Sequence, residues 1–393
     1  MENTILIQGA QLVRDEGITP GDVLISGSRI AKIAPAGGIT PGPDTAVIDG
    51  RNRILSPGFI DLHCHGGAGG DVNDGDPEAY RKMEEFHRSR GVTAFMPTLS
   101  VDPMPKLEKA CAMVRALRQE DAGGGAEILG VHFESPYINP VYKGCQAAEC
   151  ILPFDEKAMH FIRQNSDIIS RITLAPELDG VLEAIPELRQ MGILVSGGHS
   201  NADAVMFRRA ADRGMTMATH LYNAMSSVRK EGPYRIPGVL EAALTDDRIY
   251  TELIADGHHV PGELLQIAYR CKGPDRFMAC SDASRAAGYS GSERVFICGQ
   301  EAVIENGVGM LKDRSSLASS VVALDTMVRV LAEKAGLTPH LALRAVSYVP
   351  AKAAGIDNRK GRLAEGYDAD LVLLDEKLNV CSVWCRGIKS GGK

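Results

Sequence analysis

Residues 192–220 read GILVSGGHSNADAVMFRRAADRGMTMATH. The stretch opens on an apolar, β-branched run that ends at His199. It continues through a segment with apolar residues at helical spacing, and closes on a second apolar run that ends at His220. The two histidines stand 220 − 199 = 21 residues apart, the length of one strand-plus-helix repeat. Apolar runs joined by a helix predict neighbouring parallel strands covered on both faces. The two histidines then lie side by side at the strands' C-terminal ends.

The pattern extends in both directions. ILSPGFIDLHCH, VTAFMPTLS, AEILGVHFES and IISRITLAPE precede it; IYTELIADGHHV and DRFMACSDAS follow. Helical spacing recurs in PEAYRKMEEFHRSRG, GVLEAIPELRQMG and PGELLQIAYRCKG. Eight strands alternating with helices predict an α/β fold, a (β/α)8 TIM-like barrel. The rival, an open doubly wound sheet, lacks a G-x-G-x-x-G after its first strand in any dinucleotide-binding version. The polar residues favour the barrel. His63, His65, Glu134, Glu177, His199, His220, His259 and Asp282 all end apolar runs. A barrel gathers those ends round one mouth, where barrel active sites lie.

The ends of the chain read differently. TILIQGAQLV, DVLISGSRIAKIA and TAVIDGRNRIL are short β-branched runs between Gly/Pro/Asp turns, and DADLVLLD and NVCSVWCRGI close the chain in the same way. The reading expects a small β-sandwich domain built from both termini, residues 1–56 and 355–393, around a barrel of residues 57–354.

Of 393 residues, 44% are hydrophobic and 24% charged, which fits a globular protein and excludes a disordered one. Lys plus Arg is 43 against 50 Asp plus Glu, a net charge of −7. That balance argues against nucleic acid as the main partner, because phosphate neutralisation needs a basic face. It leaves room for a small anion held by a few local donors. No apolar run is long enough to cross a bilayer, and the N-terminus lacks the cationic start of a signal peptide, so no membrane partner is expected. Nine cysteines without a C-x-x-C pair suit a reducing compartment and a cytoplasmic location.

His63-Cys64-His65 is an H-x-H on a strand, so both imidazoles share a face and Cys64 points away. Glu134 ends an apolar run in GVHFESP, a costly place for a carboxylate unless it is paired or binds a cation. His132, two residues earlier, is a candidate supporting group. With His199 and His220, Glu134 makes a His/His/carboxylate set of the kind that holds Zn²⁺ or Fe²⁺ and leaves room for water. Asp282 in ACSDAS is the candidate general base and acid; its alternative is a helix N-cap. Asn223, Ala224 and His259 lie just past strand ends, and Arg235 lies in the Pro/Gly stretch GPYRIPG.

Taken together, PGFIDLHCHG, GVHFESPYINPVYKG, LAPE, VSGGHSNAD, ATHLYNAM, IADGHHV, SDAS and the closing KGRLAEGYDADLVLLD resemble the amidohydrolase superfamily. Within it they are similar to the N-acetylglucosamine-6-phosphate deacetylase family, over nearly the whole chain. The resemblance implies metal-dependent removal of acetate from an N-acetyl amino sugar 6-phosphate, a small-molecule substrate. It implies one or two divalent ions per subunit. Glu134, His199 and His220 would hold the main metal, and His63 and His65 a second one bridged by Glu134. It also implies Asp282 as general base and then acid, and His259 as an orienting group. Asn223, the Ala224 amide and Arg235 would bind the 6-phosphate, with Arg235 supplied by the other subunit of a homodimer.

Three places depart from the family pattern. KGCQ puts Gln146 where a histidine of the sugar pocket usually stands, making Gln146 a substrate-binding candidate. HFESP puts Ser135 in place of a glycine. RSSLASS, Arg314 to Ser320, replaces GTLAGS and loses both glycines, one of them at Ser319. These changes leave the reaction type intact and open a second substrate, N-acetylgalactosamine-6-phosphate. Other amidohydrolase reactions often use a carbamylated lysine at a strand end, where this chain reads LAPE. A non-catalytic scaffold would have lost metal ligands, and the principal ones are present.

Overall fold

Eight parallel strands in the order of the chain form the barrel: Phe59–Cys64, Val92–Leu99, Val131–Glu134, Ile169–Leu174, Leu194–Gly197, Met217–Ala218, Tyr250–Ile254 and Phe277–Cys280. They are numbered one to eight below. The coordinates are a computed structural model and describe residues 4–120, 124–134, 136–291 and 294–390. Ser135 and the outermost residues of both termini therefore lie outside the described residues. The barrel nearly closes, with a parallel bridge between Cys64 and Ala283 and an Asp282 N–H donating to His63 O at 2.9 Å. Strands buried on both faces explain the continuous apolar runs; all eight residues of Val92–Leu99 are buried.

A helix follows each strand. Pro77–Ser89, Glu156–Gln164 and Ala204–Asp212 start at Asp76, Asp155 and Asp203, whose carboxylates accept backbone N–H bonds in the first turn. The helices pack on the outside of the strands to form the largest core. Inside, Ile60, Leu62, Ala94, Met96, Met217 and Met278 fill the N-terminal end. There they meet Tyr348, Val349 and Ala351 of the short helix Tyr348–Ala353. The apolar plug leaves the C-terminal mouth as the polar end.

The termini form one eight-stranded sheet. Its path runs Ile388–Lys389, Val380–Cys385, Leu371–Leu374, Ile54–Pro57, Thr4–Arg14, Gly17–Ser26 and Arg29–Pro35, with Thr45–Asp49 also paired to Thr4–Arg14. The first half of Thr4–Arg14 pairs with Thr45–Asp49 and its second half with Ile54–Pro57, around an irregularity between Ile7 and Ala10. The small sandwich is thus one continuous sheet around its own core, which includes Leu12, Val23, Leu55, Leu371 and the buried Trp384.

Two elements were not anticipated. A three-stranded antiparallel sheet, Arg294–Ile297, Gln300–Glu305 and Val308–Leu311, stands between strand eight and its helix Leu324–Glu333. Arg235 lies in a β-hairpin, Arg229–Glu231 with Tyr234–Ile236, rather than an irregular loop. Gly232 turns that hairpin at φ +55°, and Arg235 is exposed.

Candidate active site

Strand one delivers both imidazoles of H-x-H to one point. His63 Nε2 and His65 Nε2 are 3.1 Å apart, while Cys64 faces the outer core. The chain then turns sharply. A Cβ at Gly66 would come within 2.4 Å of Gly70 O, so only glycine fits that turn. Glu134 ends strand three, and its Oε1 lies 3.1 Å from His199 Nε2 and 3.0 Å from His220 Nε2. Those two nitrogens are 3.1 Å from each other. Glu134 also faces the first pair, at 3.6 Å from His63 Nε2 and 3.4 Å from His65 Nε2. Asp282 Oδ1 completes the cluster, 3.2 Å from His65 Nε2 and 3.5 Å from His63 Nε2. All six side chains are buried.

Hydrogen bonds on the far side of two rings fix their tautomers. His199 Nδ1 donates to Tyr142 O at 2.7 Å, and His63 Nδ1 donates to Glu252 Oε1 at 3.0 Å. Each ring therefore turns a bare Nε2 lone pair inward. Each of these lone pairs faces a second ring nitrogen at 3.1 Å, His63 Nε2 facing His65 Nε2 and His199 Nε2 facing His220 Nε2. A divalent cation at about 2.0–2.1 Å from each nitrogen spans such a gap. Asp282 Oδ1 is buried and makes no hydrogen bond among the described residues. The donor set and this orphaned oxygen both fit a divalent cation. Two overlapping groups can hold one: Glu134 with His199 and His220, and Glu134 with His63 and His65.

Burial and charge oppose one another within the cluster. Burial pushes the Glu134 carboxyl up, but the facing His63 and His199 rings hold it well below the usual carboxylate range. Burial also opposes ionisation of Asp282, and His63 and His65 outweigh it to lower that carboxyl. His65 is the reciprocal case: burial lowers it, while Asp282 and Glu134 lift it well above an ordinary imidazole.

Beneath the cluster lies a polar layer that the sequence reading missed. Arg171 in strand four and Glu252 in strand seven are fully buried and bond at 2.5 Å. Arg171 also donates to Leu62 O at 3.0 Å. Burial disfavours the Glu252 charge, yet Arg171 and His63 hold its carboxyl far below the ordinary range. Glu252 thus carries the charge that orients His63, and Arg171 neutralises it. Each interrupts an apolar run, in IISRITL and IYTELI, and a charge inside a buried strand needs a partner. That was the available signal. His132 belongs to the same layer. Its Nε2 lies 2.8 Å from Thr173 Oγ1, and burial drives its pKa well below that of a free imidazole.

A pocket opens from the cluster and is lined by Asn223, Ala224, His259, Gln146, Cys145 and Ser319, among others. His259 Nδ1 bonds Asp256 Oδ2 at 2.7 Å, which fixes the ring at the pocket wall. Gln146 turns its amide inward: Nε2 donates to Glu134 Oε2 at 2.8 Å, and Oε1 accepts from Val101 N at 2.9 Å. One bond at each end of that amide steadies Glu134, and Gln146 keeps a place on the pocket wall. Glu177 lies outside the pocket and ties loops together, accepting from Ser200 Oγ and Asn201 N, both at 2.6 Å. The three-stranded sheet reaches the rim, where Gln300 Nε2 donates to Cys145 O at 2.6 Å. No Lys or Arg side chain lines the pocket among the described residues, and Arg235 of the same chain is not one of its walls.

The backbone at this site is unusual. His199, His220, Ala224, Asp282 and Ser319 all have left-handed φ, at +47°, +32°, +48°, +44° and +52°. Such angles are costly for residues with a Cβ and collect where function demands them.

A parallel barrel whose C-terminal mouth gathers imidazoles and carboxylates around a cation-sized gap defines the barrel hydrolases that work with divalent metals. The amidohydrolase family model matches residues 54–389, and the chain belongs to that family. It is 33% identical over 386 residues to an N-acetylgalactosamine-6-phosphate deacetylase of Escherichia coli O157:H7, covering 98% of both chains. It is 32% identical over 391 residues to an N-acetylglucosamine-6-phosphate deacetylase of Bacillus subtilis, covering 98% of this chain and 97% of the relative. Among solved structures, N-acetylglucosamine-6-phosphate deacetylase from Pasteurella multocida superposes with a TM-score of 0.92 at 28% identity. That match covers 99% of this chain and 100% of the other.

Proposed function

We propose that the protein hydrolyses the acetamide of an N-acetyl amino sugar 6-phosphate, giving acetate and the amino sugar phosphate. The observation that carries this reading is the convergence of Glu134, His199, His220 and Asp282 beside an open pocket, in a chain matched end to end by such deacetylases. N-Acetylglucosamine-6-phosphate is the first substrate to test. The Escherichia coli relative favours N-acetylgalactosamine-6-phosphate as a second.

Glu134, His199 and His220 would hold one zinc or iron(II) ion, and His63 and His65 a second, with Glu134 shared. A divalent cation there supplies Lewis acidity, which lowers the pKa of water and stabilises negative charge on the acyl oxygen. Asp282 Oδ1 takes the proton of the attacking water and returns it to the amide nitrogen as the C–N bond breaks. His259, braced by Asp256, orients the substrate. Asn223 and the Ala224 N–H receive the 6-phosphate, and Arg235 from the second subunit of a homodimer neutralises it. That no Lys or Arg side chain lines the pocket among the described residues supports that last assignment. We assign residues 57–354 to the hydrolase barrel and 1–56 with 355–393 to the small domain. A cytoplasmic location fits an enzyme of this substrate class. No described helix is long and apolar enough to cross a membrane.

The test is acetate release from N-acetylated hexosamines, each with and without its 6-phosphate, alongside metal analysis of the purified protein. Turnover is expected only with the phosphorylated sugars and with at least one cation per subunit. A protein that carries cation but acts on neither sugar phosphate overturns the reading, and one that binds no cation is a scaffold.

A further inference from the structure

Five non-glycine residues that line the pocket have left-handed φ. Four already have a place in the proposed reaction: His199 and His220 at the cation, Asp282 at the proton, and Ala224 at the phosphate. Ser319, at φ +52°, is the fifth and has none. Glycine would take this angle without strain, and the deacetylase family pattern places glycine here. The chain nevertheless keeps a side chain at a backbone position that penalises one.

The neighbouring serines show what that side chain is not used for. Ser315 Oγ donates to Asp313 Oδ1 at 2.6 Å, Ser316 Oγ to Leu317 O at 2.8 Å, and Ser320 Oγ to Val322 O at 3.1 Å. Ser319 Oγ has no hydrogen-bond partner among the described residues, although the residue is only 7% exposed. It is not among the fully enclosed unpartnered atoms, and Ser319 lines the cavity. Its position is well fixed. Ser320 N donates to Asp282 O at 2.8 Å, and Ala283 and Ser320 form a parallel bridge. Ser319 is therefore one residue from the contact that fastens this loop to the Asp282 turn.

We propose that Ser319 is a substrate-binding residue whose hydroxyl hydrogen-bonds the sugar ring beside the scissile amide. The inference rests on the deacetylase reading and adds to it a residue that selects for the sugar. A strained backbone that holds a partnerless hydroxyl toward a substrate cavity is pre-organised for a ligand that completes the bond.

The test compares wild type with Ser319→Ala and Ser319→Gly, using steady-state acetate release from both sugar phosphates, metal content and Tm. Both variants are expected to raise KM for the better substrate by about three- to tenfold, the worth of one neutral hydrogen bond. Turnover at saturation and metal content should stay near wild type. The Gly variant, relieved of its backbone strain, should melt at least as high as the Ala variant. Unchanged KM in both variants overturns the assignment. A lower Tm with unchanged KM makes Ser319 a structural residue instead. Absence of acetate from wild type with either sugar phosphate overturns the deacetylase reading itself, before any variant is compared.

Discussion

Asp282 sits just past the end of strand eight, with one buried carboxylate oxygen that makes no hydrogen bond among the described residues and faces two imidazoles at 3.2 and 3.5 Å. It caps none of the described helices, and Ala323 holds the N-cap of the helix that follows strand eight. Removing its charge while keeping its shape should stop proton transfer without emptying the site. Asp282→Asn is expected to lower turnover by about 10²–10⁴-fold, with metal content unchanged by elemental analysis. Near-normal turnover would take Asp282 out of the reaction. At this scale much was legible: His63, His65, Glu134, His199 and His220 announce themselves because polar groups end apolar runs. Arg171 and Glu252 did not, because a charge within such a run shows no partner until the strands are side by side. The bond from Gln146 to Glu134 was not legible either, because the two stand twelve residues apart along the chain.

Among the elements, the edge segment Glu127–Ile128 joins the barrel to the returning chain. Arg359 bonds Glu127 through both oxygens, at 2.6 and 2.9 Å, and Lys360 Nζ lies 2.8 Å from Oε2. Lys360 is itself buried against Asp368 and Asp370. Burial raises the Glu127 pKa, but Arg359 and Lys360 win and hold it at about 2, against an ordinary 4.5. A lowered carboxyl stabilises the fold fully above its unfolded pKa and loses that contribution as pH falls towards the folded value. Glu127→Gln should therefore cost about 3 kcal/mol at neutral pH. In thermal melts the gap to wild type should narrow between pH 4.5 and about 2. A gap independent of pH would show that packing, and not charge, explains the loss. The eight barrel strands were readable from apolar runs alone. The sheet over residues 294–311 was not, because its strands are short and half exposed. Its Asn306-Gly307 turn, with φ of +53° and +81°, was the signal present. The hairpin carrying Arg235 buries almost nothing, so no alternation marks it.

For the molecule as a whole, the proposed crossing of Arg235 between subunits rests on two observations: no Lys or Arg side chain lines the pocket among the described residues, and the Arg235 hairpin is exposed. Arg235→Ala alone and Asp282→Asn alone should each be nearly inactive. If the arginine crosses between subunits, reassociating an equal mixture forms hybrid dimers with one intact site each. Acetate release should then recover to about a quarter of wild type. No recovery, in a mixture shown by mass measurement to contain hybrids, would place Arg235 in its own chain's site or in none. The two-ended architecture was legible because both termini share short, turn-bounded β runs. That one sheet would join them was not, because the contact between Leu371–Leu374 and Ile54–Pro57 spans most of the chain.

That long-range pairing has a consequence during translation. Ile54–Pro57 lies between an early strand and a late one, so its outer edge stays open until Leu371–Leu374 has left the ribosome. The nascent polypeptide must complete a whole barrel while carrying an unmatched β edge, the type of surface that recruits other chains. A chain truncated shortly before Leu371 would hold every residue assigned to the site and a permanent adhesive margin. Aggregation, before any loss of chemistry, would be its first defect.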